Sequence, residues 1–489
     1  MRIDPLELAA VFGRPAPTAE QIAVISAPLE PTLVIAGAGS GKTETIAARV
    51  AYLVANGLAE PGNIVGLTFT RKAATELAER VRSRLRMLAG AGVVDDAAAL
   101  AGSEPVIGTY HSFAGRLIDE FGPLAGIEPT ARVLTATASW QLARSVVGSW
   151  DADLDTDYGP DRVTQDLLAI SGALGDHLVT TDMLDGELTR IIAALSDAPP
   201  SRGQRSQIHN GLVGPIAALT NRRALLPLVR AYDEAKREIH AVDFADQMRL
   251  AALLVETSAA VGQSQRARHP VVLLDEYQDT GHAQRVILRT LFGDPGPGLA
   301  PGGGPSRRGH CVTVVGDPVQ SIYGWRGASA SNLLRFATDF PRRDGSPAVT
   351  RPLLVSFRND RRILDIANVA SVDVRAGAVP VGELRPSDVA GRGKVSSALL
   401  TTIDDENEWL AGVLVDARER TSEDPSMAVL VRRRAAMPGV AAALRARGLV
   451  VEVVGVGGLV DEPEVADVIA MLRLAVDHRS GPAAVRILS

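Results

Sequence analysis

The chain has 489 residues, 46% of them hydrophobic and 22% charged, a balance that reads as globular and excludes broad disorder. Its formal charge of −6 argues neither for nor against nucleic acid, because local patches decide such binding. The single cysteine, Cys311 in the apolar run Cys311–Val315, excludes a disulfide framework and a cysteine metal site within this chain. Met1–Pro5 lacks an apolar signal region and no long uncharged apolar run follows, so the expectation is a cytoplasmic protein without membrane contact. Length alone suggests about three domains.

Residues 1–17 read as a lead-in with loose helical potential. Thr18 then stands as a helix N-cap with Gln21 in capping-box spacing. Capping explains Gln21; a nucleotide bound nearby would give its amide a second use, reading the adenine edge. The β-branched run Thr32–Ile35 leads into Ala36-Gly37-Ala38-Gly39-Ser40-Gly41-Lys42-Thr43 and a helix from Thr43 to Val54, ended by Gly57. This is the layout of a phosphate-binding loop: glycines turn backbone N–H groups onto an anion, Lys42 reaches the β/γ-phosphates, and the Thr43 hydroxyl can hold Mg²⁺. Ala36 replaces the first glycine of the strict pattern. The chain has only four lysines (Lys42, Lys72, Lys236, Lys394), which makes a lysine at this one place more telling.

Ile64–Thr70 reads as a buried parallel strand. The helix after it carries Ala74, Leu77, Val81, Leu85 and Leu88 on one face and Arg71, Lys72, Arg80, Arg82, Arg84 and Arg86 on the other. Hydroxyls, a ring and cations in Thr68-Phe69-Thr70-Arg71-Lys72 suit a phosphate backbone with a stacked base. Residues 90–104 form a small polar loop. Val106–Phe113 is strand-like and leads into a helix; with no cysteine cluster or second histidine near His111, a metal site there is rejected. Residues 126–235 read as an inserted helical subdomain, broken around Asp151–Asp161 and Ser196–Gly203.

The strand Val271–Leu274 ends in Asp275-Glu276, which suits Asp275 to bind Mg²⁺ and Glu276 to orient and deprotonate an attacking water. A Pro/Gly-rich stretch, 294–309, reads as a flexible loop. The strand Val312–Val315 follows, then Gly316-Asp317-Pro318-Val319-Gln320-Ser321-Ile322-Tyr323-Gly324-Trp325-Arg326-Gly327. Tyr323 and Trp325 beside Arg326 form a stacking platform for single-stranded bases. Pro341–Pro347 is a polar break before a second domain, in which Leu353–Arg358 and Met427–Val431 read as strands. A helix starting at Pro463 has Val465, Val468, Ile469 and Leu472 on one face.

AGAGSGKT, GLTFTRKAATELAERV, GTYHSF, LLDEYQDT and VVGDPVQSIYGWRGA occur in this order and resemble the motor motifs of superfamily 1 DNA helicases of the UvrD/Rep/PcrA kind. Ala/Arg-rich composition and Asp461–Val465 resemble more closely the actinobacterial AdnAB-type helicase–nucleases, their AdnB subunit in particular. The resemblance implies an α/β P-loop NTPase with two RecA-like cores, ATP and Mg²⁺ between them, and 3′→5′ movement on single-stranded DNA and duplex junctions, with a second helicase–nuclease subunit as the partner that the AdnAB likeness suggests. The domains would be 1–125 and 236–343 for the first core, 126–235 for the helical insertion and 344–489 for a partial second core.

By the same resemblance Gln21 belongs to adenine, and Gln320 to the γ-phosphate, coupling it to Tyr323, Trp325 and Arg326 on DNA. Arg358 is an arginine finger, and Phe357 stands where the family has an adenine-stacking tyrosine. Thr68, Phe69, Thr109 and His111 match DNA-contacting positions, alongside Thr70 and Lys72. Glu44 stands where many relatives place an arginine against the base, which implies relaxed base selectivity. The family's last motor motifs lie beyond Ser489, so the expectation is an N-terminal portion of a longer protein. The rival expectations are a nucleotide-binding DNA clamp without efficient turnover, an RNA-directed helicase and a small-molecule P-loop enzyme.

Overall fold

The computed structural model describes residues 3–94, 104–126, 132–154, 156, 158–199, 209–294, 308–324, 327–329, 331–377, 380–420, 425–454, 463–476, 478 and 481–488. It divides into two compact units, Met1–Lys394 and Val395–Ser489. The first is built on six parallel strands: β1 (Thr32–Ala36), β2 (Ile64–Thr68), β3 (Val106–Thr109), β6 (Val271–Leu274), β7 (Cys311–Gly316) and β8 (Val349–Leu353), in the order β3-β2-β6-β7-β1-β8. Two short parallel pairs lie outside it, β4 (Arg132–Val133) with β5 (Ala241–Val242), and β9 (Val355–Ser356) with β10 (Arg385–Pro386).

The four central strands are short apolar runs rich in valine, leucine and isoleucine and are buried throughout, as parallel strands covered on both faces require. Alternation along β1 sends Val34 and Ala36 to one side, with helices α1 (Pro5–Val11), α2 (Ala19–Ile25), α3 (Lys42–Ala55) and α4 (Arg71–Gly90). Leu33 and Ile35 go to the other side, which is closed by α5 (Tyr110–Phe121) and later helices. β8 is an edge strand, half exposed, and there Pro352 forfeits no ladder bond that the sheet needs.

Between β4 and β5 the chain forms a run of helices: α6 (Ala136–Ser149), α7 (Pro160–His177), α8 (Thr181–Ser196), α9 (Val213–Ala224) and α10 (Leu226–Glu238). Its own core contains Ala143, Leu167, Leu188, Leu228 and Tyr232. Helices α11 (Phe244–Thr257), α12 (Ala259–Arg268), α13 (His282–Phe292) and α14 (Ser331–Asp339) then complete the main sheet's second cover, with Met248, Leu254, Ile287, Leu291 and Phe336 buried there. After β8 come α15 (Arg361–Ala370) and α16 (Val372–Ala376).

The second unit contains α17 (Ile403–Glu419) and α18 (Met437–Ala446), which pack on a small core of Ala411, Ala443 and Leu444, followed by α19 (Pro463–Val476) and α20 (Gly481–Leu488), which pack on each other. Two expectations are corrected by these elements. Met427–Val431 forms no strand, because no backbone pairs with it among the described residues, and Leu430 is almost fully exposed. The helix expected from Pro463 forms as α19, with Val465 and Ile469 half-buried and Val468 and Leu472 exposed. The strand-like run from Val106 stops at Thr109, whose hydroxyl caps α5, so Tyr110–Phe113 are helical. The segment just after the expected domain break at 343/344 supplies β8 to the first sheet, and the two units divide only after Lys394. The expected loops at 90–104 and 294–309 fall mostly outside the described residues, as do Asp461 and Glu462.

Candidate nucleotide and nucleic-acid site

Because all six strands are parallel, their C-terminal ends share one edge of the sheet, where open α/β sheets bind ligands. Ala36–Thr43 follow β1; Thr68, Phe69, Thr70 and Lys72 follow β2; Thr109 and His111 follow β3; Asp275 and Glu276 follow β6; Gln320 and Tyr323 follow β7; Phe357 and Arg358 follow β8. Sequence positions more than three hundred residues apart are thus delivered to one rim.

The phosphate loop is shaped for an anion. Gly39 has φ +75°, a left-handed conformation that favours glycine, and a Cβ there would lie 2.7 Å from Arg358 Cβ and Ser356 Oγ. The Ser40 hydroxyl is buried without a hydrogen-bond partner among the described residues, as an anion-facing donor would be. Lys42 and Thr43 open α3, whose N-terminal end adds its dipole. Gln21 is both cap and neighbour of the loop: its Oε1 accepts the Thr18 N–H at 3.0 Å, and its Nε2 donates to the Ser40 carbonyl at 3.3 Å. One lone pair and one amide proton stay available for a second partner.

Lys42 Nζ donates to Glu276 Oε2 at 2.8 Å, joining the loop to the acidic turn. Glu276 is a non-glycine residue at φ +49°, a conformation costing about 1–3 kcal/mol and characteristic of functional turns. Its Oε2 also accepts Gln278 Nε2 at 2.8 Å; Gln278 Oε1 accepts the Asp317 N–H at 3.0 Å; Asp317 Oδ2 accepts Gln320 Nε2 at 2.6 Å. A continuous polar chain therefore runs from Lys42 to Gln320. Asp275 is buried, and its Oδ1 accepts the Glu276 N–H at 3.0 Å. Burial first, then the neighbouring Glu276 carboxylate, pushes its carboxyl up to about 6. The same two causes push Asp279 up to about 6. A divalent cation would relieve both burdens on Asp275, so the donor set fits a metal.

Phe69 and Tyr323 meet with ring centroids 4.9 Å apart. Thr70 and Lys72 are exposed beside them, whereas Thr68 is fully buried and does not face solvent. Burial holds the His111 imidazole below its usual range, and its ring meets Phe244 edge-on at 6.0 Å. Trp325 and Arg326 lie outside the described residues. Phe357 is half exposed and donates its N–H to the Gly39 carbonyl at 2.9 Å, which sets Arg358 directly over the loop. Glu44 is held by Arg84 and, at 3.9 Å, by Arg80. The basic face of α4 is consequently less open than its sequence suggests: Arg84 is buried and stacked over Phe12, and Arg82 pairs with Glu104.

Sequence reasoning missed Arg49. It is fully buried, donating to the carbonyls of Val24, Ile25, Ala27 and Pro28 and to Thr313 Oγ1, and so it closes the C-terminal end of α2. Its position among Ile46, Val50 and Leu53 on the apolar face of α3 is the signal that could have found it.

A parallel sheet carrying a phosphate loop, an acidic strand end and a polar relay along one edge defines the P-loop NTPase fold. The family described as the UvrD/REP helicase N-terminal domain matches residues 17–341, and the chain belongs to it. It is similar to the ATP-dependent DNA helicase UvrD1 of Mycobacterium tuberculosis, 28% identical over 453 residues that cover 91% of this chain and 50% of that protein. It is also similar to the ATP-dependent DNA helicase PcrA of Leuconostoc citreum, 27% identical over 94% of this chain and 52% of that protein. DNA helicase II of Escherichia coli is 25% identical over 96% of this chain and 56% of that protein. The chain spans about half the length of the curated relatives it matches. Among the described residues no helix is long and apolar enough to cross a membrane.

Proposed function

We propose that this chain is the motor portion of an ATP-dependent DNA helicase, moving 3′→5′ on single-stranded DNA and at duplex junctions in repair or recombination. The observation that carries this reading is the Lys42–Glu276 ion pair at the shared strand edge, continued through Gln278 and Asp317 to Gln320. Triphosphate would draw Lys42 away from Glu276, freeing that carboxylate to orient and deprotonate water. Gln278 is bonded to the same carboxylate oxygen, so the exchange is felt at Asp317 and Gln320, next to Tyr323. Thr43 and Asp275 would hold Mg²⁺, which when bound offsets phosphate charge. Gln21 would read adenine, with Phe357 stacked on it, and Arg358 would meet the phosphates. Phe69 and Tyr323, with Trp325 and Arg326, would stack bases, while Thr70, Lys72, Thr109 and His111 line the strand's path.

Residues 1–125 and 236–343, completed by β8, would act as the first core, 126–235 as its helical insertion, and the chain after β8 as part of the second. The Ala/Arg-rich composition and the Asp461–Val465 run support an AdnAB-type setting, with a second helicase–nuclease subunit as partner. ATP hydrolysis with and without single-stranded oligonucleotide, beside Glu276→Gln, tests the reading. The expected result is DNA-stimulated turnover that falls about 10²–10⁴-fold in Glu276→Gln, the contribution of a general base. Binding of both ligands without turnover would replace the motor by a clamp, and preference for matched RNA would replace the substrate.

A further inference from the structure

Glu20 precedes Gln21 in the first turn of α2, where an acidic residue is ordinarily explained by the helix dipole. The fold gives it two partners far along the chain. Leu354 N–H donates to Glu20 Oε2 at 2.7 Å, and the Arg385 guanidinium pairs with Glu20 Oε1. Arg385 N–H donates in turn to the Leu354 carbonyl at 2.8 Å, so the three residues close a ring. Glu20 is only one-fifth exposed, which strengthens its charge-assisted bonds.

The position of this ring matters. Leu354 lies just past the last residue of β8 that pairs with β1, and four residues before Arg358. From there to Arg358, the backbone link to the phosphate loop is the Phe357 N–H on Gly39. On the other side, Gln21 is the next residue after Glu20 and already touches the loop at Ser40. We propose that Glu20 is a positioning residue, a carboxylate that registers the strand end carrying Phe357 and Arg358 against the helix carrying Gln21. Resting on the reading of this edge as an ATP site, it makes the adenine side and the arginine side of the nucleotide one rigid frame. Arg385 is the second half of the device, holding Glu20 in the rotamer that meets Leu354.

The phosphate loop does not depend on Glu20, so its loss is felt in catalysis more than in binding. Full-length Glu20→Ala should lower kcat of DNA-stimulated hydrolysis by about 10²-fold, the loss produced by a misplacement of about 1 Å. Binding of a fluorescent ATP analogue should change little. Glu20→Gln keeps an acceptor for Leu354 and should restore most of kcat. Arg385→Ala should lower kcat alone but add nothing in the Glu20→Ala background, the mark of two residues acting as one. Unchanged kcat in Glu20→Ala, or losses that simply add, would overturn the proposal. Amide exchange at Leu354–Arg358 gives a readout that needs no turnover. It should quicken in Glu20→Ala while amides of β1 and β2 keep their protection. If the wild-type chain fails to hydrolyse ATP, the motor reading falls, and unchanged exchange at Leu354 would separately sink the role of Glu20.

Discussion

His269 follows α12 as its C-cap and is almost wholly buried, with its Nδ1 unpartnered among the described residues. Burial first, then Arg268 and Arg116, lowers its imidazole to about 4. Unfolding returns it to the ordinary histidine range near ~6.5, so the unfolded chain binds more protons between these values. Stability from this residue is therefore complete above about pH 6.5 and is lost as pH falls towards 4. Asp275 and Asp279, both raised to about 6, act in the opposite sense, because the folded chain holds their protons longer as pH rises. The total pH profile mixes the two, and a difference separates them. Thermal midpoints of wild type and His269→Gln should draw closer as pH is lowered from 7 to 4.5, since only wild type carries the histidine's loss; parallel profiles would show that His269 titrates normally. Sequence alone could not place His269, and for Arg49 the apolar face of α3 signals burial but not the partners. A histidine or arginine gives no sign in its own sequence of which carbonyls and cations surround it. The placement of Lys42, Asp275 and Glu276 at one strand edge was legible, because a phosphate loop and an acidic turn are tied to strand ends and to fixed local spacing.

Elements were readable where one face or one local bond defines them. Thr18 with Gln21 forms the capping box its spacing predicts, and α4 buries Ala74, Leu77, Val81, Leu85 and Leu88 as its period requires. The opposite face of α4 was less readable: ion pairs to Glu44 and Glu104 join segments whose proximity is tertiary. Met427–Val431 shows the limit of apolar runs, since a strand needs a partner that its own sequence does not name. The contact between the phosphate loop and the end of β8 is likewise tertiary, and it makes Gly39 a test of the whole edge. Gly39→Ala adds a methyl group 2.7 Å from two atoms of the 356–358 segment and imposes a positive φ on a residue with a Cβ. The strain alone is expected to cost about 1–2 kcal/mol, and the clash should push Phe357 and Arg358 off the loop. Titration with a non-hydrolysable ATP analogue should show weaker binding, together with a lower thermal midpoint. Wild-type affinity in Gly39→Ala would mean that the loop and the β8 end are not in contact when nucleotide binds.

At the scale of the molecule, the two units differ in how they are held. The first has a parallel sheet with an apolar cluster on each face, so its central strands are shielded on both sides by helices. The second relies on Ala411, Ala443 and Leu444, with long apolar side chains such as Leu399, Leu430 and Val450 left in solvent. Less apolar area is removed from water there for each residue ordered, and burial at roughly 25 cal/mol per Å² is the main force opposing chain entropy. Its helices should therefore open at lower free energy than the sheet, through local unfolding. Native-state hydrogen exchange on the full chain measures this directly. Amides of β1, β2, β6 and β7 should be the slowest and should exchange only on global unfolding of their unit. Those of α17 and α18 should exchange earlier and shift strongly with low denaturant. Equal protection across both units would mean that contacts beyond this small core hold the second unit. The residues proposed to face nucleotide all lie in the first unit, so early opening of the second should leave affinity for an ATP analogue intact at the same denaturant concentration. Loss of affinity in step with that opening would show that nucleotide binding draws on the second unit as well.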